Sequence, residues 1–201
     1  MKSLFFIFGL LFGCQPSELE TTWTSSDDTN IIIEILEPIG VLPAADCQHI
    51  GPGNKACNFR LTDQDGDTWD LYSHTGDVIV LDFSTVWCYP CQLAGHHAQP
   101  LQDEYSNDNV KFVTVLLDGA TSGVEPSEEE INDWVVSHNI TTAPVLQGSR
   151  EKMLATDPDA YDGYLLSGFP TYVYIGRDMK FYSAHVGFSE SHVRQTIEEG
   201  L

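Results

Sequence analysis

Two cysteines two residues apart, in Trp87-Cys88-Tyr89-Pro90-Cys91, are the side chains of this sequence best suited to covalent chemistry. They follow an apolar run, Val78-Ile79-Val80-Leu81-Asp82-Phe83, that should end as a strand near Thr85, so a helix can begin at Cys88. A thiol at a helix start meets backbone N–H groups without intrahelical partners, and these together with the helix dipole favour the thiolate. Cys91, three residues on, shares the same helical face at about 5 to 6 Å between Cβ atoms, close enough for a disulfide after little rearrangement. Pro90 is tolerated because the first turn needs no N–H. The spacing therefore predicts a redox pair that opens and closes, with Cys88 the accessible thiol. A static structural disulfide and half of a four-thiolate zinc site compete for the same residues. Zinc wants a second close pair of Cys or His, and a static bridge has no need of a strand, a Trp and a helix start around it. No metal and no cofactor is expected.

Asp82 stands six residues before Cys88, inside the strand run. A carboxylate among Val, Ile, Leu and Phe is costly unless it has a task; the alternative is an edge-facing, solvated Asp. His96 and His97 are adjacent, so on a helix they point to different sides, and a solvated pair is favoured over a metal or pH site. Cys47 and Cys57 enclose a short loop that reads as a structural disulfide, stabilising by about 2 to 3 kcal/mol. Metal binding with Cys47-Gln48-His49, or an electron relay to Cys88 and Cys91, stays open for them.

The elements that must hold these residues follow from period and punctuation. Asn58 to Leu61 and Thr68 to Tyr72 read as strands around the turn Asp63-Gln64-Asp65-Gly66-Asp67. That turn lacks the glycine and glutamate positions of a calcium loop and is taken as a hairpin. Val110 to Leu117 is a second buried strand, and Ser127 to Glu130 forms a capping box for a helix whose core side carries Trp134 and Val135. Val145-Leu146 is a short strand, Thr171 to Ile175 and Lys180 to Val186 form a hairpin, and Ser189 to Glu199 closes the chain as a helix. The helix from Cys88 should kink or break near Gln99, ahead of Pro100. Strands alternating with helices indicate a three-layer α/β domain. Ser149 to Gly168 carries no clear pattern.

The chain has 201 residues, with 30 Asp and Glu against 9 Lys and Arg and a net charge of -21, which excludes nucleic acid as a partner. Near its start, Lys2 is followed by an apolar run, Leu4 to Leu11, too short to span a membrane, which reads as a secretion signal. Leu11-Phe12-Gly13-Cys14 resembles the bacterial lipoprotein box, in which the cysteine is acylated; an ordinary signal peptide with a stray cysteine is the alternative. Gln15 to about Asn30 is rich in Ser, Thr, Glu and Asp and reads as a tether. Ile31 to Leu36 is a strand candidate. The expected organisation is a signal peptide over 1–13, a lipid anchor and acidic tether over 14–45, and the folded domain over 46–201. This places the protein on the extracytoplasmic, periplasmic side of a bacterium, touching the membrane through the anchor only, in a space where disulfides persist.

From about Ala56 to Leu201 the sequence resembles the thioredoxin superfamily, most closely its membrane-tethered TlpA and ResA group and related redoxin proteins. The marks are Phe59-Arg60-Leu61 with Gly66, Val78 to Phe83, Trp87 to Cys91, Gly168-Phe169-Pro170-Thr171, and Gly187-Phe188. The resemblance implies a thioredoxin fold, a central mixed β-sheet flanked by helices on both faces with an N-terminal β-hairpin extension. It implies that Pro170 is cis and faces the disulfide, leaving the backbone of Phe169 open to pair with a substrate strand. Trp87, Tyr89, Pro90, Phe169 and Pro170 would contact substrate, and Asp82 would shuttle the proton of Cys91. The activity implied is thiol-disulfide exchange with protein thiols or disulfides and with an upstream redox partner. Two rivals share the fold. A thiol peroxidase is suggested by Thr85-x-x-Cys88, but Leu81 stands where peroxiredoxins keep a proline. A copper-binding assembly chaperone of the Sco type spaces its cysteines by three residues rather than two. A non-catalytic binding module is the remaining alternative.

Overall fold

The computed structural model describes residues 38–42, 46–156 and 162–201. The signal peptide, Cys14 and the strand candidate Ile31 to Leu36 lie outside the described residues.

The strands are β1 Gly40–Val41, β2 Phe59–Asp63, β3 Thr68–Asp70, β4 Val78–Ser84, β5 Val110–Leu116, β6 Val145–Gln147, β7 Thr171–Ile175 and β8 Phe181–Val186. The helices are α1 Tyr89–Gly95, α2 Ala98–Glu104, α3 Glu128–Ser137, α4 Arg150–Met153 and α5 Glu190–Gly200. The sheet runs in the order β1-β2-β6-β5-β4-β7-β8, with β3 paired to β2. β4, β5 and β6 are parallel to one another, whereas β7 and β8 on one side and β2 on the other join antiparallel. β4 is buried at all seven positions, which is why it reads as an almost continuous apolar run.

The pleat of β4 sends Ile79, Leu81 and Phe83 to one face and Val78, Val80, Asp82 and Ser84 to the other. The first face packs on Phe59, Leu61, Leu71, Met153 and Tyr164, from the N-terminal hairpin, α4 and the segment before β7. The second packs on Ala94 of α1, Leu101 of α2, Trp134 of α3 and Val193 and Ile197 of α5, and it holds Cys88 and Cys91.

The hairpin of β2 and β3 pairs Thr62 with Thr68, and its acidic turn is closed by Asp63 Oδ1, which accepts from the N–H groups of Asp65 at 3.0 Å and Asp67 at 2.9 Å. Cys47 and Cys57 are joined, with Cα atoms 4.7 Å apart. The loop they close donates from Gly53 N–H to the Phe181 carbonyl at 2.8 Å and from Ala56 N–H to the Met179 carbonyl at 3.0 Å, tying the hairpin to the start of β8.

The helix break lies earlier than the expected position near Gln99: α1 ends at Gly95 and α2 starts at Ala98. A proline ring clashes with the carbonyl four residues before it and is accepted in a first turn. Pro100 therefore ends the helical ladder around His96 and takes the third position of a new helix. Gly95 lets the end of α1 meet α3, since a Cβ there would come within 2.6 Å of the His138 ring and 2.9 Å of Trp134. His138 in turn brings its ring nitrogens to the carbonyls of Trp134, at 2.8 Å, and Gln92, at 3.0 Å.

Candidate active site

The strand-to-helix junction after β4 is held from both sides. Leu117 N–H donates to the Ser84 carbonyl at 2.9 Å and Val86 N–H to the Asp118 carbonyl at 3.0 Å, so the chain leaves the sheet at a fixed point. Cys88 is the N-cap of α1, with extended backbone at φ -84° and ψ 111°, and its sulfur accepts from the Cys91 N–H at 3.3 Å. Pro90 lies in the first turn. Cys88 and Cys91 are joined as a disulfide, with Cα atoms 5.2 Å apart. Cys91 is fully buried and Cys88 is 5 % exposed, much less open than a solvent-facing thiol, while Tyr89 beside it is 71 % exposed.

The cover over Cys88 comes from the loop before β7. The Phe169–Pro170 peptide bond is cis, and the Phe169 carbonyl oxygen lies 3.8 Å from Cys88 Sγ. Trp87 stands edge-on to the Phe169 ring, with centroids 6.3 Å apart, and its indole N–H donates to Asp118 Oδ2 at 2.9 Å. Arg150 grips the same carboxylate from Nε to Oδ1 at 2.8 Å and from Nη2 to Oδ2 at 2.6 Å, and its guanidinium sits 5.5 Å from the Phe169 ring centre. Burial pushes the Asp118 carboxyl up, but the hydrogen bonds from Arg150 and Trp87 outweigh it and hold the group below its ordinary range. Asp118 and Arg150 thus fix two of the expected substrate-contact residues, Trp87 and Phe169, from beneath. No sequence pattern pointed to this pair: Asp118 follows a strand, and Arg150 comes from the stretch without clear pattern.

Asp82 is fully buried. Its Oδ1 accepts from the Ser84 hydroxyl at 2.7 Å, and Oδ2 has no hydrogen-bond partner. Burial pushes this carboxyl up to about 7, opposed by the Ser84 hydrogen bond and by the Tyr172 hydroxyl, which lies close to the carboxyl without reaching hydrogen-bond geometry. The alternative of an edge-facing, solvated Asp82 is thereby excluded: the strand is central in the sheet, between β5 and β7.

The two adjacent histidines diverge. His96 is exposed with its ring 4.6 Å from that of His138, and His97 pairs with Glu190 through Nδ1 at 3.2 Å. Among the described residues no three His, Cys, Asp or Glu side chains are grouped to hold a metal ion.

A mixed sheet carrying a Cys-x-x-Cys disulfide at a helix start defines a thioredoxin-fold protein with a dithiol site. Residues 52–175 match the AhpC/TSA family, and the chain belongs to it. ResA of Halalkalibacterium halodurans, a thiol-disulfide oxidoreductase, is 25% identical over 147 residues, 73% of this chain and 75% of that protein. Among solved structures, the Chlorobium tepidum protein assigned as the thiol:disulfide interchange protein DsbE superposes with a TM-score of 0.58 at 26% identity, over 75% of this chain and 98% of that one. The exposed lipoprotein thioredoxin Etrx1 of Streptococcus pneumoniae does so with a TM-score of 0.55 at 26% identity, over 71% and 98%. The chain is a thiol-disulfide oxidoreductase of the ResA and DsbE type.

Proposed function

We propose that this oxidoreductase works outside the cytoplasm, anchored by a lipid on Cys14, and exchanges disulfides with proteins through Cys88 and Cys91. The observation that carries the reading is the position of Cys88: N-cap of α1, bonded to Cys91, with the Phe169 carbonyl 3.8 Å from its sulfur. In the reducing direction the Cys88 thiolate attacks one sulfur of a substrate disulfide, and the other sulfur leaves as a thiolate. Cys91 then gives its proton to Asp82, its thiolate attacks Cys88 Sγ, the mixed disulfide breaks, and the substrate departs as a dithiol while Cys88 and Cys91 are oxidised. The oxidising direction is the same path reversed, and an upstream redox partner resets the pair. Trp87, Tyr89, Pro90, Phe169 and Pro170 form the contact surface, with an extended substrate segment lying along the Phe169 backbone. The location draws support from Leu11-Phe12-Gly13-Cys14, from the Cys47 and Cys57 pair, and from the likeness to an exposed lipoprotein.

Cys91→Ala tests the reading. Expressed in its own cell, the variant should accumulate proteins attached to Cys88 through disulfides that dithiothreitol releases, while wild type shows few. A variant that traps nothing, or proteins attached through another residue, sinks it. Intact-mass measurement of the membrane-extracted chain should give a mature start at Cys14 carrying acyl groups; a start elsewhere refutes the anchor.

A further inference from the structure

Asp82 belongs to a polar row that crosses four strands. Thr114 of β5 is opposite Asp82 of β4, Asp82 is opposite Tyr172 of β7, and Tyr172 is opposite His185 of β8. Directly opposed residues share a sheet face, here the face that carries Cys88, Cys91, Tyr172 and Tyr174. Thr114, Asp82 and Tyr172 are fully buried, and His185 is half-buried. Asp82 Oδ2, Thr114 Oγ1, the Tyr172 hydroxyl and both His185 ring nitrogens are shielded from solvent without a hydrogen-bond partner. Buried polar atoms are rarely left so, and five in one row call for an explanation.

The carboxyl supplies one. A donor locked on Oδ2 would hold Asp82 ionised and make it a weak proton acceptor, and no donor at all would leave it protonated in the folded chain at neutral pH. A phenol resolves this, because its O–H turns about the C–O bond and both donates and accepts. The register puts a phenol opposite the carboxyl: Tyr172 of β7 pairs with Asp82 of β4 on the same sheet face. Burial and the neighbouring Asp82 push the Tyr172 phenol well above its ordinary range, so it keeps its hydrogen. Its ring is fixed by His185, stacked at 5.2 Å and 17°, and His192 closes on His185 at 4.4 Å. Burial and His192 push His185 down to about 4, so it adds no charge at neutral pH.

We infer that Tyr172 is a positioning residue for the exchange reaction: its hydroxyl is the reversible partner of Asp82 Oδ2, donating to the carboxylate and accepting from the acid. The inference rests on Asp82 being the acceptor for Cys91. The titratable groups on this face are Cys88 at the N-cap of α1, Cys91 of α1, Tyr105 after α2, Tyr172 and Tyr174 of β7 and Tyr182 of β8. His185 of β8 and His192 of α5 stand behind Tyr172, His97 reaches it through the Phe188 ring, and the end of α3 brings His138 beside Trp134, while α2 and α5 otherwise bring Ala98, Leu101, Val193 and Ile197.

The test compares wild type with Tyr172→Phe, Tyr174→Phe and Asp82→Asn, each checked for native circular dichroism. Two quantities are read: the Asp82 carboxyl titration by 13C NMR in the oxidised protein, and the pH profile of disulfide reduction. Tyr172→Phe should raise the midpoint of both by about one pH unit, the usual worth of one hydrogen bond to a carboxylate. Tyr174→Phe, which removes the next buried hydroxyl on the strand, should leave both in place. If Asp82→Asn keeps the wild-type rate profile, the acceptor reading falls and the role of Tyr172 with it. If Asp82→Asn flattens the profile while Tyr172→Phe moves neither midpoint, the inference about Tyr172 alone is overturned.

Discussion

Asp82→Asn is expected to make the oxidised protein more stable at pH 8 while slowing disulfide exchange by about 100-fold, the lower end of what a positioned proton acceptor contributes. The folded carboxyl is pushed up to about 7 from an ordinary 3.8 by burial, with Ser84 and Tyr172 opposing. Below the ordinary value both folded and unfolded chains hold the proton, and Asp82 has no pH-dependent cost. Between about pH 4 and pH 7 the unfolded chain releases the proton that the folded chain keeps, so stability falls as pH rises. Above about 7 the loss is complete, on the order of 4 kcal/mol. Asn cannot ionise, so the variant lacks this slope. Urea midpoints at pH 4 and pH 8 read it directly: the gain over wild type should be larger at pH 8 than at pH 4 by about that amount. The buried amide keeps Ser84 as a neighbour, and its own desolvation is the same at both pH values. Equal differences at the two pH values would mean that the carboxyl titrates normally in the folded chain, and an unchanged exchange rate would remove Asp82 from the chemistry.

The parts of the fold visible in the sequence are those governed by local or strand-wise rules. β4 and β5 read as apolar runs because both of their faces are buried, and the Ser127 and Glu130 capping box is present with both of its hydrogen bonds. The dithiol site was visible for the same reason: Cys88 and Cys91 are neighbours on one short helix. What was not visible depends on register and distance. Arg150 meets Asp118 across 32 residues, and Tyr172 meets Asp82 only because β7 pairs with β4 in one register out of several. The sequence puts the break between α1 and α2 near Gln99 because a proline ordinarily interrupts a helix, whereas Pro100 occupies the first turn of α2 and the break falls before it. A helix start on its own is solvated, so the sequence alone makes Cys88 open, whereas the Phe169 loop, 81 residues on, covers it.

Gln99 is another residue whose role only the fold reveals, and its loss is expected to destabilise the chain. A glutamine on a helix reads as a solvated side chain, yet Gln99 is 6 % exposed. Its Oε1 accepts from the N–H groups of Thr141 at 2.8 Å, Thr142 at 2.8 Å and Ala143 at 3.1 Å, and its Nε2 donates to Thr142 Oγ1 at 2.7 Å and Asp103 Oδ1 at 2.6 Å. One side chain thus closes the turn that leads into β6, where the Pro144 carbonyl accepts from Thr114 N–H of β5 at 2.9 Å. Gln99→Met keeps the volume and removes every one of these bonds. Thr141 and Thr142 are exposed and can turn to water, but the N–H of buried Ala143 cannot. An unsatisfied buried donor costs about 1 to 3 kcal/mol and the lost bonds add to it, so the variant should be less stable by about 2 to 4 kcal/mol. Hydrogen exchange should show faster exchange at Ala143 while the amides of β4 keep their order, and the disulfide-exchange rate at 25 °C should stay within twofold of wild type. A urea midpoint equal to that of wild type would show that packing, not this glutamine, holds the turn.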